Sequence, residues 1–193
     1  MLKDIFVSEV RVKILKLILP HPEESYHVRA IVRQVGAEIN AVRRELANLT
    51  DIGLLRRRQS GNRVYYTADP TNIIYPDLLS LVSKEEGICA EIIHHLKNLG
   101  YVKYAVVARG FLRGRESSVL DVDLLVVGDV NMDVLNRIVK QEEVRIGREL
   151  NYTVMAEDDF MFRKRRNDQF VSKVLSQSRT MIVGDEEEFC SVV

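Results

Sequence analysis

A glycine followed at short range by two carboxylates constrains this chain more than any other feature. Gly110-Phe111 is followed by nine residues and then Asp121-Val122-Asp123-Leu124. The apolar run Leu124-Leu125-Val126-Val127 reads as a buried strand, predicted over Leu120–Val127. Two residues apart on a strand, Asp121 and Asp123 point to one face. A glycine turn at Gly110 lets the backbone approach a phosphate. Carboxylate oxygens are hard ligands that suit Mg²⁺, and a phosphate-approaching loop beside them suits a nucleoside triphosphate. Gly110, Asp121 and Asp123 are therefore the candidate catalytic residues, with Asp121 and Asp123 also the candidate metal ligands.

The pattern around this motif alternates. Strands are predicted at Tyr101–Ala108, Leu120–Val127, Tyr152–Ala156 and Thr180–Val183, and helices at Asp133–Leu150 and Phe160–Leu175. Strands alternating with helices argue for a mixed α/β domain over residues 100–193. A long helix, Pro76–Leu99, precedes it and ends at Gly100. Its apolar faces exceed what one contact needs, so it reads as a connecting helix or a dimer seam.

Residues 1–75 read differently. A helix over Ile5–Leu19 stops at Pro20 and Pro22. A second, capped by Ser25, carries Val28, Ile31, Val32 and Val35, and Gly36 supplies its left-handed end. A third spaces Ile39, Val42, Leu46 and Leu49 at helical intervals and ends at Gly53. Strands Leu54–Gln59 and Arg63–Thr67 flank Ser60-Gly61-Asn62, a hairpin signal. Two helices joined by a tight glycine turn make a helix-turn-helix. With the third helix's stripe facing inward, Asn40, Arg43, Arg44, Ala47 and Asn48 are left outside. Arg reads guanine and Asn reads adenine at base edges. Arg56, Arg58, Asn62 and Arg63 lie on the hairpin, where basic side chains suit phosphate or minor-groove contact. The DNA-binding candidates are thus Asn40, Arg43, Arg44, Arg56, Arg58, Asn62 and Arg63.

Charge gives mild support. The chain holds 28 basic and 28 acidic residues, so no global field marks a nucleic-acid binder. Residues 1–75 carry 12 − 8 = +4, and the remainder 16 − 20 = −4. Cys89 and Cys190 have neither metal nor disulfide spacing, which predicts a reducing, cytoplasmic setting. No apolar run approaches the roughly 18 residues that span a bilayer. His94-His95, adjacent on a helix, point to different faces and do not chelate as an i, i+4 pair does. Arg163-Lys164-Arg165-Arg166 reads first as a solvated face, with added phosphate contact as the alternative.

Two resemblances follow from these residues. Residues 1–75 resemble the winged-helix fold of bacterial and archaeal transcription regulators, including the ArsR type. The match lies in Val28-Arg29-Ala30-Ile31, Val42-Arg43-Arg44-Glu45-Leu46, Gly53-Leu54, Gly61-Asn62-Arg63 and Tyr65-Tyr66. It implies a homodimer on double-stranded DNA with two-fold spaced half-sites. Metal-sensing members use cysteines here, and this half has none. Residues 100–183 resemble the minimal branch of the DNA polymerase beta-like nucleotidyltransferase superfamily. Gly110, the Arg113-Gly114-Arg115-Glu116 loop and the Asp121/Asp123 pair carry that likeness. It implies Mg²⁺ and a nucleoside triphosphate. Two departures stand out. Phe111 replaces the small residue after the glycine, crowding the approach of a phosphate. The neighbouring strand, Asn151-Tyr152-Thr153-Val154-Met155, lacks the family's third carboxylate. Glu157, Asp158 and Asp159 lie beyond it, where acids favour a helix start.

The resulting expectation is a winged helix-turn-helix domain (1–75), a connecting helix (76–99) and a nucleotidyltransferase-like α/β domain (100–193). The chain would be a DNA-binding transcriptional regulator whose second domain senses a ligand or protein partner. The alternatives are a Mg²⁺-dependent nucleotidyltransferase targeted by its winged helix, and an antitoxin partner of a HEPN toxin.

Overall fold

The structure is a computed structural model that describes residues 2–116, 118 and 121–191. It divides into two compact units, Met1–Glu85 and Glu86–Val193.

The first unit holds helices α1 (Leu2–Ile5), α2 (Glu9–Ile18), α3 (Val28–Val35), α4 (Ile39–Asp51) and α5 (Tyr75–Ser83). Strands β1 (Tyr26–His27), β2 (Leu55–Ser60) and β3 (Arg63–Ala68) form an antiparallel sheet in the order β1-β3-β2. The first predicted helix begins later than expected, because Ser8 Oγ accepts from Arg11 N at 3.2 Å and caps α2. The cap of α3 also differs. Tyr26 and His27 pair with Tyr66 and Tyr65 of β3, so the helix starts after them, and His27 Nδ1 rather than Ser25 accepts from Ala30 N. Gly36 takes the left-handed conformation expected of it. The Glu38 carboxylate then caps α4, accepting from the amides of Asn40 and Ala41 at 2.8 and 3.0 Å.

The stripe Val42, Leu46, Leu49 of α4 is buried, as are Ile14, Leu15 and Ile18 of α2 and Ile31 of α3. Glu45 is also buried. Burial raises its carboxyl pKa, but hydrogen bonds from Ser8 and Arg11 outweigh this and hold it below the usual range. Arg11 Nε donates to it at 2.8 Å. Buried ions persist only with such partners.

The expected single helix 76–99 is two helices, α5 in the first unit and α6 (Gly87–His95) in the second. Tyr75 explains the first half. It is fully buried and its hydroxyl donates to Leu19 O at 2.8 Å, so α5 is anchored to α2. Gly87 explains the break. It sits at φ +59°, and an added Cβ would meet Arg145 Nη2 at 2.7 Å and Glu142 Oε1 at 3.0 Å. The chain therefore divides at Glu85/Glu86 rather than near residue 75.

The second unit continues with a 3-10 turn (Leu96–Asn98), β4 (Gly100–Ala108), α7 (Arg109–Leu112), β5 (Leu124–Val130) and α8 (Met132–Ile146). Then come β6 (Tyr152–Met155), α9 (Glu157–Arg165), α10 (Gln169–Ser176), β7 (Arg179–Val183) and α11 (Glu186–Cys190). The sheet runs β6-β5-β4-β7, antiparallel except for β5 with β6. It is the mixed α/β architecture that the alternating pattern predicts. Apolar residues on both faces of the central strands demand cover on both sides. Ala105, Val107, Leu124 and Val126 pack with Ile88, Ile92, Leu135 and Ile138 of α6 and α8. Tyr104, Val106, Leu125 and Val127 pack the other way, with Phe160, Val171, Val174 and Phe189 of α9, α10 and α11.

Two predicted elements are shorter than expected. The strand begins at Leu124, so Asp121 and Asp123 precede it, and Leu120 lies outside the described residues. The predicted helix Phe160–Leu175 is α9 and α10, because Asn167 adopts φ +51° and Asp168 Oδ1 caps α10 through Phe170 N and Val171 N. Among the described residues no helix is long and apolar enough to cross a membrane.

Candidate functional site

The second unit contains an open cavity of about 390 Å³. Gly110, Asp121 and Asp123 all line it, so the fold gathers the three residues that the motif singles out. Arg115 and Glu116 of the basic-glycine-acidic loop line it too. Opposite them in sequence are Lys173, Ser176, Gln177 and Ser178, from α10 and the turn after it.

Each residue reaches the cavity for a local reason. Gly110 is helical, within α7, rather than in the glycine turn expected there. A Cβ built there meets nothing within 4 Å, so the space beside it is open. Phe111 lines the cavity yet is buried in the sheet's core, with the Arg148 guanidinium 4.9 Å from its ring centroid.

Asp121 is half-buried and doubly held. Its Oδ2 accepts from Ser118 N at 2.9 Å and its Oδ1 pairs with Lys173 Nζ at 3.0 Å. The Ser118 amide first, and Lys173 after it, pull its pKa down to about 2. Hydrogen bonds and a cation favour the charged carboxylate. Asp123 is only 2% exposed. Its backbone N–H donates to Asn151 O at 2.8 Å, its carbonyl accepts from Ala108 N at 2.8 Å, and its Oδ2 accepts from Asn151 N at 3.1 Å.

Asn151 stands where a third carboxylate strand begins, and it acts instead as a brace. Its amide holds Asp123 and its side-chain Nδ2 donates to Ser118 O at 3.0 Å. Glu157, Asp158 and Asp159 fall in the first turn of α9, and Asp159 pairs with Arg163 at 3.0 Å. Among the described residues no cluster of three or more His, Cys, Asp or Glu is placed to hold a metal. Two carboxylates, Asp121 and Asp123, line the cavity together with Glu116, and oxygen donors of this kind are the hard ligands that would suit a divalent cation. The charged lining residues, Arg115 and Lys173 against Glu116, Asp121 and Asp123, give the cavity a formal 2 − 3 = −1.

Sequence reasoning missed Lys173, Ser176 and Gln177. Lys173 is 52 residues from the aspartate it pairs with, and Gln177 Nε2 reaches back to Val122 O at 3.1 Å. The Asp168 cap before an apolar helix marks where α10 begins, but nothing local ties that helix to Asp121. The basic run 163–166 is partly absorbed into the fold, since Lys164 is buried and donates to Glu188 O at 3.2 Å.

In the first unit, Asn40, Arg43, Arg44, Ala47 and Asn48 are exposed along α4. Arg58, Asn62 and Arg63 are exposed on the β2/β3 hairpin. Arg56 is exposed too, but it is paired with Asp69 at 2.7 Å. That guanidinium is the main reason the Asp69 carboxyl sits at about 2.

No family model matches the chain, and no solved structure matches it. Among curated proteins, one similar to it is "Putative protein adenylyltransferase MJ0604" of Methanocaldococcus jannaschii. It is 28% identical over 99 residues, which are 50% of this chain and 97% of that protein. The likeness is to a nucleotidyltransferase-type protein, over half of the chain.

Proposed function

We propose that this chain is a DNA-binding regulator whose second unit binds a Mg²⁺–nucleoside triphosphate in a nucleotidyltransferase-type cavity. One observation carries the second part: a single cavity gathers Gly110, Asp121 and Asp123 with Lys173. An open glycine, two carboxylates and a lysine are what a metal–triphosphate needs for room, ion coordination and charge. The similarity to the archaeal protein supports it, since that whole protein is about the size of the second unit alone. The first part rests on the outward side chains of α4 and the hairpin, and on the +4 balance of residues 1–75. A two-fold dimer on spaced half-sites belongs to the same proposal. Two titrations test it. Calorimetry with ATP and Mg²⁺ should give saturable binding that Asp123→Asn abolishes. Anisotropy with duplex DNA from the gene's own upstream region should show sequence preference and a steep salt slope. No nucleotide binding would sink the second part, and no sequence preference at any salt the first.

A second reading is that the site transfers a nucleotide, as the name of the similar protein describes. It is favoured by Asp121 and Asp123 lining the same cavity. Incubation with α-labelled ATP and Mg²⁺ would then label an acceptor, and both Asp121→Ala and Asp123→Ala would abolish the label. A protein partner for the second unit, of the HEPN toxin kind, would be sought first in the neighbouring gene.

A further inference from the structure

The cavity's charge poses a problem that Lys173 answers. At a formal −1, it repels a triphosphate until a cation enters. Yet the carboxylate an incoming cation needs, Asp121, already holds the Lys173 ammonium at 3.0 Å. The side chains of that pair are 48% and 41% exposed, so it is a solvated ion pair of small net worth. Lysine is a point charge on a flexible four-carbon stem, and Lys173 lines the cavity.

We propose that Lys173 is an exchangeable counter-ion, which rests on Asp121 in the empty site and moves to the triphosphate when Asp121 takes a divalent cation. This rests on the nucleotide reading above and adds the identity of its phosphate-binding residue. The charge works in sequence. The carboxylates accept an ion of +2, the cavity goes from −1 to +1, and the displaced ammonium faces the phosphates. Arg115 and the open space at Gly110 complete the receiving side. The helix does not need rearranging, because Lys173 lies on the exposed side of α10, while Val171 and Val174 hold that helix in the core.

The proposal predicts effects of opposite sign from one substitution. Lys173→Ala removes a competitor for Asp121, so affinity for Mg²⁺ alone should rise about two- to fivefold, the scale of an exposed ion pair. The same substitution removes a charge-assisted bond to phosphate, so affinity for a non-hydrolysable ATP analogue with Mg²⁺ should fall about tenfold or more. Lys173→Arg should keep most of the nucleotide affinity. The full-length protein is titrated by calorimetry with Mg²⁺ alone, then with the analogue at saturating Mg²⁺, and circular dichroism checks that each variant is folded. Both affinities falling together, or neither changing in Lys173→Ala, overturns the exchange while leaving the nucleotide site standing. If the wild-type protein binds neither Mg²⁺ nor the analogue, the nucleotide reading itself fails, and the exchange with it.

Discussion

The two units display their candidate chemistry in opposite ways. In the first, all seven DNA-facing candidates fall between Asn40 and Arg63, on one helix and one hairpin. In the second, the cavity joins Gly110, Asp121 and Asp123 to Lys173, across β5, α8, β6 and α9. A helix face follows from a period, because buried Val42, Leu46 and Leu49 leave Arg43 and Arg44 outside. A cavity follows from topology, since α10 must first pack on one face of the sheet before Lys173 can meet Asp121. Periodicity therefore finds surfaces more readily than pockets.

The largest expected effect tests the topological half of that contrast. Phe160 is fully buried, stacked on Phe189 and tilted against Tyr104 beneath α10. Phe160→Ala should cost about 3–5 kcal/mol in urea unfolding. It should also weaken nucleotide binding, although Phe160 does not line the cavity. Full stability with normal binding would separate the cavity from its supporting core.

The next effect tests the periodic half. Arg44→Ala should cost about 1–3 kcal/mol in binding the preferred duplex and relax its sequence preference. Arg58→Ala and Arg63→Ala should each lower the salt slope by about 1, weakening all duplexes alike. Arg56→Ala should do less, because Arg56 is already paired with Asp69 at 2.7 Å. Equal losses from Arg44 and Arg56, read by anisotropy across salt, would break the division between base-facing helix and phosphate-facing hairpin.

The errors of sequence reading follow the same line. Apolar spacing located the longer helices and strands, because burial imposes it, and passed over the short α1, β1, α7 and α11. It ran α5 into α6 and α9 into α10, since neither Gly87 nor Asn167 disturbs the apolar period around it, and only their left-handed backbone reveals the breaks. The start of α3 moved because Tyr26 and His27 pair with a strand almost forty residues away. Asp121 and Asp123 were legible by spacing, whereas the brace from Asn151 and the pairing with Lys173 are long-range contacts that leave no local trace.

The smallest effect compares one carboxylate from each unit. Asp69 and Asp121 both have pKa values lowered from 3.8 to about 2. A depressed carboxylate pKa adds stability that is fully present above the unfolded value and is lost as pH falls through the folded one. Both contributions should therefore be intact at pH 5 and disappear between about pH 4 and pH 2. The causes differ in order. Arg56 is the leading influence on Asp69, whereas the Ser118 amide leads at Asp121 and Lys173 comes second. Carboxyl titration by NMR should then show Arg56→Ala raising the midpoint of Asp69 more than Lys173→Ala raises that of Asp121. The larger rise at Asp121 would mean that Lys173, rather than the loop amide, holds the empty site's charge. Mg²⁺ would then meet a stiffer competitor there than the exposure of the pair implies.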